Sequence, residues 1–398
     1  MTEVKKPLVA TTKNIGELSE PYAIVYILGQ TDIPVVDGSL SAIPGAHLRF
    51  VEVRRLDKDD KYVSYSIDNT SGKGPSVVYQ GPSVNSVGPV NCEDFKQAAR
   101  ELLQLLRDSK NASKIAINNP EVVKALSLLA TSRVSAKASD KSDFIATVVS
   151  NGMLQTSGFS IKSQLGGQST LVNSSRDSSY FEYEILRAGG MPLSDANRTE
   201  ILDTIRNSAK QGFGFVQELL KNGYELRFTA TAPNLNYTLR LVDSFGPEIV
   251  AQLLLEEVFR RNRGEKRAPT IAELVDNMAE RIWNTQDESL LFLGSNKEEL
   301  EVSIGYKMRS VLLAFMSGAT PGARWDGRSR ATGGIIVVKK TGEVVCVQLS
   351  TQNAVGDYLM NSCRLEAPGS ERHDWGYPYA GDNGRLFVRM QLQVRFTA

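Results

Sequence analysis

The chain has 398 residues, room for two or three domains, and its 41% hydrophobic and 23% charged residues are those of an ordinary globular protein. With 46 Lys and Arg against 45 Asp and Glu the net charge is +1, so any contact with nucleic acid must come from a local basic face. No apolar run approaches the roughly 20 residues of a membrane helix, the N-terminus lacks a secretory apolar core, the three scattered cysteines predict free thiols in a reducing cytosol, and two histidines disfavour a His-rich metal site.

Taken in order, Leu18, Tyr22, Val25 and Leu28 recur at helical spacing, with Gly29 as the expected C-cap. Pro21 suits a first turn, which predicts that this helix starts near Ser19. His47 to Val53 and Tyr62 to Ile67 read as a hairpin across a charged turn. Helices are expected over Cys92 to Asp108 and from Pro120 to about Ala130. Two β-type runs follow, Asp143 to Val149 and Gly158 to Ser163, with a turn at Ser150-Asn151-Gly152. Next come an alternating strand Tyr180 to Leu186, helices from Asp195 to about Asn207 and from Gly212 to Asn222, and paired strands Tyr224 to Ala232 and Tyr237 to Val242. Long helices are expected over 246–261, 271–283 (with the capping-box pattern Thr270 and Glu273) and 297–316. The end of the chain is strand-rich: Ile335 to Lys340, Glu343 to Leu349, and Leu386 to Phe396.

The 143–163 hairpin carries the chemistry. Asp143 starts its first strand, and Lys162 lies in the second, where an antiparallel pairing brings the two side by side. Acid and lysine on adjacent strands is the arrangement of PD-(D/E)xK nucleases, in which the acid holds a divalent metal and the lysine helps activate water. Ser160, two residues before Lys162, shares its face. In the usual motif that position is a second carboxylate. Here a neutral hydroxyl stands there, so another acid must help balance the metal's charge. Glu17, Glu20, Glu121, Glu182 and Glu184 are the candidates. The loop after Lys162 (Gln164, Gly166, Gly167, Ser169, Thr170, Asn173) is small and rich in donors, as a backbone approaching phosphate requires. Basic clusters occur at Arg54-Arg55, at Arg260, Arg261, Arg263, Lys266 and Arg267, and at Arg324, Arg328 and Arg330 beside Trp325. The last is the preferred DNA-contacting loop. His373 is read as structural or DNA-contacting.

Several blocks occur together: GELSE near the start, KSDF, GFSIKSQLGGQSTLVNSS, and a tail with ATGGIIVVKKTGEVVC, ERHDWG and QLQVRF. In this combination and order, over about residues 13 to 396, the chain resembles the HpaII-type family of type II restriction endonucleases. The resemblance implies a cytoplasmic enzyme that cuts both strands of DNA at a short sequence with Mg2+, leaving 5′-phosphate and 3′-hydroxyl ends; the family's namesake cuts at CCGG. It also implies Asp143 as main metal ligand, Lys162 as the cation at the reacting phosphate, Ser160 in the usual acid's place, and Glu20 as the acid that replaces it. A double-strand cut implies a homodimer, at least transiently. The other reading is a sequence-specific DNA-binding protein on the same scaffold, its nuclease activity lapsed or turned to repair or modification-dependent cleavage.

The expected fold is α+β: a PD-(D/E)xK-like mixed sheet flanked by helices, a further α/β region and a strand-rich C-terminal part. Residues 1–190 are expected to hold the nuclease core and its metal site, and 191–398 to serve DNA recognition, dimerisation or both.

Overall fold

A computed structural model of the chain describes residues 12–57, 61–69, 74–81, 88–109, 114–131, 133–135, 142–150, 152–207, 212–265, 267–349, 352–367, 374–381 and 384–397. Their architecture is α+β, in two units that interleave along the sequence. The first takes the chain up to Ser169 and again from Arg330 to Tyr358; the second takes Thr170–Ser329 and Leu359–Thr397.

The first unit opens with β1 (Thr12–Lys13), α1 (Ile15–Gln30), β2 (Asp32–Val36), β3 (Ala42–Leu56), β4 (Tyr62–Asp68), β5 (Ser76–Gln80) and β6 (Val90–Asn91). It continues with α2 (Cys92–Asp108), β7 (Ile115–Ala116), α3 (Pro120–Leu128), β8 (Phe144–Ser150) and β9 (Met153–Ser163). The second unit begins with β10 (Thr170–Val172), β11 (Tyr180–Arg187), α4 (Asp195–Asn207), α5 (Phe213–Lys221), β12 (Tyr224–Thr231) and α6 (Pro233–Val242). Four more helices follow: α7 (Gly246–Asn262), α8 (Ile271–Thr285), α9 (Glu288–Leu291) and α10 (Lys297–Met316). The chain then returns to the first unit with β13 (Gly334–Val338) and β14 (Val344–Gln348), and ends through α11 (Gln352–Ser362), β15 (Cys363–Leu365), β16 (Pro378–Ala380), β17 (Leu386–Gln391) and β18 (Val394–Phe396).

The first unit is built on a nine-stranded mixed sheet in the order β2-β14-β13-β9-β8-β3-β4-β5-β6. Its pairs are antiparallel except β9 with β13 and β14 with β2. Alternation sorts the two faces. Phe144, Ala146 and Val148 on β8, Phe159 and Ile161 on β9, and Ile336 and Val338 on β13 are buried in one core. Helix α1 lies against that face: Leu18, Tyr22, Ile24, Val25 and Leu28 are all buried, which is how a helix reads when the core surrounds it. The hydroxyls of Ser19 on α1 and Ser163 on β9 meet at 2.8 Å, buried, and pin the helix to the end of the strand.

Two local expectations are corrected. Helix α1 starts at Ile15, not near Ser19, because Asn14 and Glu17 form a capping box. Pro21 is therefore internal and deprives the helix of one backbone hydrogen bond; the C-cap is Thr31 in left-handed conformation, not Gly29. Residues 237–242 lie in helix α6, not in a strand. Pro233 occupies its first turn, and Leu235, Thr238 and Leu239 are the buried side. The alternation of Tyr237, Leu239 and Leu241 that suggested a strand also fits helical spacing, and Tyr237 and Leu241 are exposed.

The second unit holds a four-stranded antiparallel sheet, β12-β11-β17-β16, and a three-stranded one, β10-β18-β15. Phe181, Tyr183 and Ile185 make the buried side of β11, and the Tyr183 hydroxyl donates to the Ala251 carbonyl of α7 at 2.8 Å.

Candidate active site

The β8–β9 hairpin pairs Phe144 with Phe159 and Ser150 with Met153, turning through Gly152 at φ 76°. That conformation favours glycine. Asp143 lies one residue before the ladder, and its N–H donates to the Phe159 carbonyl at 2.9 Å. Its carboxylate turns along the end of the sheet. Oxygen Oδ2 accepts from the backbone N–H of Ile161 and from the Ser160 hydroxyl, the latter at 3.3 Å. The aspartate thus satisfies an amide where strand β8 has run out. The register sets Asp143 against Ser160, and Lys162 lies two residues further along β9 on the face of Ser160, not directly opposite the aspartate; Asp143 and Lys162 are both half-buried. Across the parallel ladder Lys162 stands beside Val337 and Ser160 beside Ile335, both fully buried. The register thus gives the lysine's alkyl stem an apolar neighbour, the setting amphipathic side chains favour.

Glu20 leaves the second turn of α1. Its side chain is 17% exposed and reaches the buried Arg55 of β3 at 3.9 Å. Arg55 follows Arg54, which pairs with Ile145; continuing that register sets Arg55 beside Phe144, the neighbour of Asp143. Arg55 and Phe144 share the core face of the sheet, opposite to Ser160 and Lys162, so this contact places Glu20 on the α1 side of the sheet. Glu17 is committed to the capping box and to Lys13 at 2.6 Å, which hold its carboxyl below the usual range despite partial burial. Glu182 and Glu184 lie in the second unit, each engaged by arginines.

The loop after Lys162 is tied back to the sheet. The Gln164 N–H donates to the Val338 carbonyl at 2.8 Å, and the Ser169 hydroxyl to the Ser163 carbonyl at 3.2 Å. A Cβ on Gly166 would meet Ile15 Cβ at 2.9 Å, so glycine lets this loop touch the start of α1. Thr170 pairs with Arg395 in the three-stranded sheet, and Asn173 is exposed.

Of the three preferred arginines, Arg324 and Arg328 belong to the second unit and Arg330 to the first; all are exposed. Arg324 stacks 5.2 Å above the Tyr237 ring. The Arg330 carbonyl crosses β9 at Gly158, so close that a Cβ there would stand 2.3 Å from it. Gly158 shares the face of Ser160 and Lys162, so the chain at Arg330 lies over the same side of the hairpin. Sequence reasoning missed this approach. The other basic clusters are engaged within the fold. Arg55 is 3% exposed and donates to the Val134 carbonyl. Arg260, 1% exposed, binds Glu257 and the carbonyls of Glu265 and Arg267 at 2.7 Å. Arg261, Arg263 and Arg267 each pair with a glutamate. Lys266 and His373 lie outside the described residues.

Among the described residues no three acidic, histidine or cysteine side chains converge on one point. The donors on the hairpin are hard oxygens: the Asp143 carboxylate and the Ser160 hydroxyl. This set fits Mg2+, which takes one or two carboxylates and completes its shell with water and substrate phosphate.

The family model described as HpaII restriction endonuclease matches residues 14–396. The type II restriction enzyme HpaII of Haemophilus parainfluenzae is 28% identical over 387 residues, spanning 96% of this chain and 98% of that protein. No solved structure matches the chain significantly.

Proposed function

This chain belongs to the HpaII restriction endonuclease family and is a type II site-specific deoxyribonuclease, and we propose that it hydrolyses DNA at the β8–β9 hairpin, in a PD-(D/E)xK-like core. The observation that carries this reading is the juxtaposition of Asp143, Ser160 and Lys162 on the hairpin, with the Asp143 carboxylate anchored to the Ile161 amide.

Asp143 is the main ligand for Mg2+, with Glu20 as the second acid and Ser160 in the place where the motif ordinarily has a carboxylate. When bound, Mg2+ neutralises the scissile phosphate and lowers the pKa of a water beside it. Anchoring by the Ile161 N–H fixes one oxygen of Asp143 and aims the other, so little reorganisation is needed when DNA arrives. Lys162 contributes a cation to the negative charge that grows on the phosphate. Its stem beside Val337 keeps the ammonium directed along the strand face. Gln164, Ser169, Thr170 and Asn173 supply polar donors for the backbone flanking the cut, and Arg324, Arg328 and Arg330 supply positive charge. DNA recognition falls chiefly to the second unit, and the working form is a homodimer at least while it cuts.

The test is digestion of plasmid DNA with Mg2+ or with EDTA, followed by mapping of the fragment ends. Discrete fragments that disappear in EDTA, in Asp143→Ala and in Lys162→Ala support the reading, and the same map decides whether the target is CCGG. Cleavage that survives both substitutions would move the reaction away from this hairpin.

A further inference from the structure

We propose that the open face of the β12-β11-β17-β16 sheet reads guanine in the target through Arg227, Arg385 and Arg389. The proposal rests on the reading of the chain as a site-specific nuclease and assigns its specificity to residues that no sequence motif pointed to.

One face of this sheet is closed by helices, as the burial of Phe181, Tyr183 and Ile185 shows. The opposite face carries a polar row. In register, Glu184 stands between Arg227 on β12 and Phe387 on β17, and Glu182 stands opposite Arg389. Glu184 is 5% exposed; it accepts from Nε and Nη2 of Arg385, both at 2.6 Å, and from Nη2 of Arg227 at 2.6 Å. Glu182 accepts from Nε and Nη2 of Arg389 at 3.2 and 3.0 Å, and from the Tyr379 hydroxyl. The Arg389 guanidinium also lies 4.1 Å from the Tyr180 ring centre and 5.0 Å from that of Tyr379.

The row leaves its cations accessible. Here the acids are inside and the guanidiniums face out: Arg227, Arg385 and Arg389 are 59, 49 and 37% exposed. Glu225 shares this face with Glu182 and Glu184 but is taken by the Gly189 and Gly190 amides, so the face presents three guanidiniums over carboxylates that are already occupied. The Nη1 group of each arginine lies outside these pairs and still offers N–H donors. The carboxylates and aromatic rings hold the guanidiniums in place, so the entropy of ordering long side chains is already spent before a ligand arrives. That combination fits base recognition. Guanine presents O6 and N7 acceptors in the major groove, and arginine is the side chain whose fork matches them. The carboxylates are occupied, which leaves donors rather than acceptors to do the reading, and guanine rather than cytosine as the base read. Strands are among the elements that enter a groove for this purpose.

The experiment measures binding by the full chain carrying Asp143→Asn, so that nothing is cut. The site is taken from the wild-type cleavage map or, where nothing is cut, from duplexes selected out of a random pool. Loss of cleavage is thereby read separately from loss of recognition. Arg227→Ala, Arg385→Ala and Arg389→Ala are added singly. Each leaves its glutamate partnered: Glu184 keeps the other arginine, and Glu182 keeps Tyr379 and Thr229. Each variant is expected to weaken binding to the site about 5- to 150-fold, with binding to an unrelated duplex and the salt dependence unchanged. Replacing the site's guanines by 7-deazaguanine should weaken binding of the unsubstituted face, with a smaller further effect in the variant that has lost the matching contact. Arg389→Lys keeps the charge without the fork, and is expected to behave as Arg389→Ala on the site. The proposal is overturned by a site without guanine, by equal losses on both duplexes with a shallower salt dependence (phosphate contact), or by no loss on either (pairs that serve only the fold).

Discussion

Asp143 answers two demands at once: its carboxylate accepts from the Ile161 N–H at the end of a strand, and it is the proposed metal ligand. Two substitutions separate them. Asparagine keeps a carbonyl oxygen for the amide but loses the charge; alanine loses both. Asp143→Asn is expected to melt as the wild type does and to cut nothing. Asp143→Ala is expected to cut nothing and also to lose about 1–3 kcal/mol, the cost of a buried amide left unpaired. Thermal melts beside plasmid digestion check both, and an Asp143→Asn that still cuts would remove this residue from the site. At this scale the pair Asp143 and Lys162 was legible because a hairpin turn and two-residue alternation are local signals. The crossing of Arg330 over Gly158 was not, because a close approach between residues far apart in sequence leaves no trace in spacing. For Glu182 and Glu184 the residues were visible as candidate metal ligands, but their arginine partners were not: Arg227, Arg385 and Arg389 come from strands whose pairing with β11 no local pattern announces.

Most element identities could be read from periodicity, and the exceptions have physical causes. Residues 237–242 alternate as a strand would, yet Pro233 and the buried Leu235 and Leu239 select a helix. In α1 the capping box at Asn14 outweighs the proline, so the helix carries Pro21 inside it and Glu20 immediately before it. Pro21→Ala restores a donor to the Glu17 carbonyl and removes a ring from a buried position. It is expected to raise stability by up to about 2 kcal/mol, the regained hydrogen bond less the lost packing. Where the proline's distortion helps to aim Glu20, the same change lowers cleavage; a more stable variant of full activity would show that the proline takes no part in aiming it. The β11 sheet gives a prediction in pH. Hydrogen bonds from Arg385, with further help from Arg227, hold the Glu184 carboxyl below the usual range against its burial. The unfolded chain then binds the proton more tightly, so this contribution is full above the ordinary glutamate pKa. It falls away as pH drops through the folded value. Melting temperatures should decline across that acid window, and less steeply in Glu184→Gln; equal slopes would mean that the pairs contribute nothing there.

The whole molecule has a net charge of only +1, so the chain is not drawn to DNA by its overall field, and the arginines that matter must be grouped. The sequence offered one cut near residue 190, whereas the two units interleave, with β13 pairing parallel to β9 after the intervening unit. Parallel pairing across so long an interval has no local signature, although each run was recognised as a strand. Each chain carries the proposed Asp143–Lys162 site once, so on that proposal one chain supplies one cut at a time and a duplex needs two. In a homodimer the two chains take one strand each. Wild-type protein allowed to exchange with a large excess of Asp143→Asn then sits mostly in mixed dimers, with one competent hairpin apiece. Supercoiled plasmid should accumulate as nicked circle, because the inactive hairpin of a mixed dimer leaves its strand uncut. A monomer that nicks both strands in turn predicts otherwise. The inactive chains compete for sites, so the first cut slows with the second and the ratio of nicked to linear product at equal conversion changes little. Time courses of the three plasmid forms, with and without the excess, decide between them. A ratio of nicked to linear product left unchanged by the excess would exclude the dimer as the cutting form.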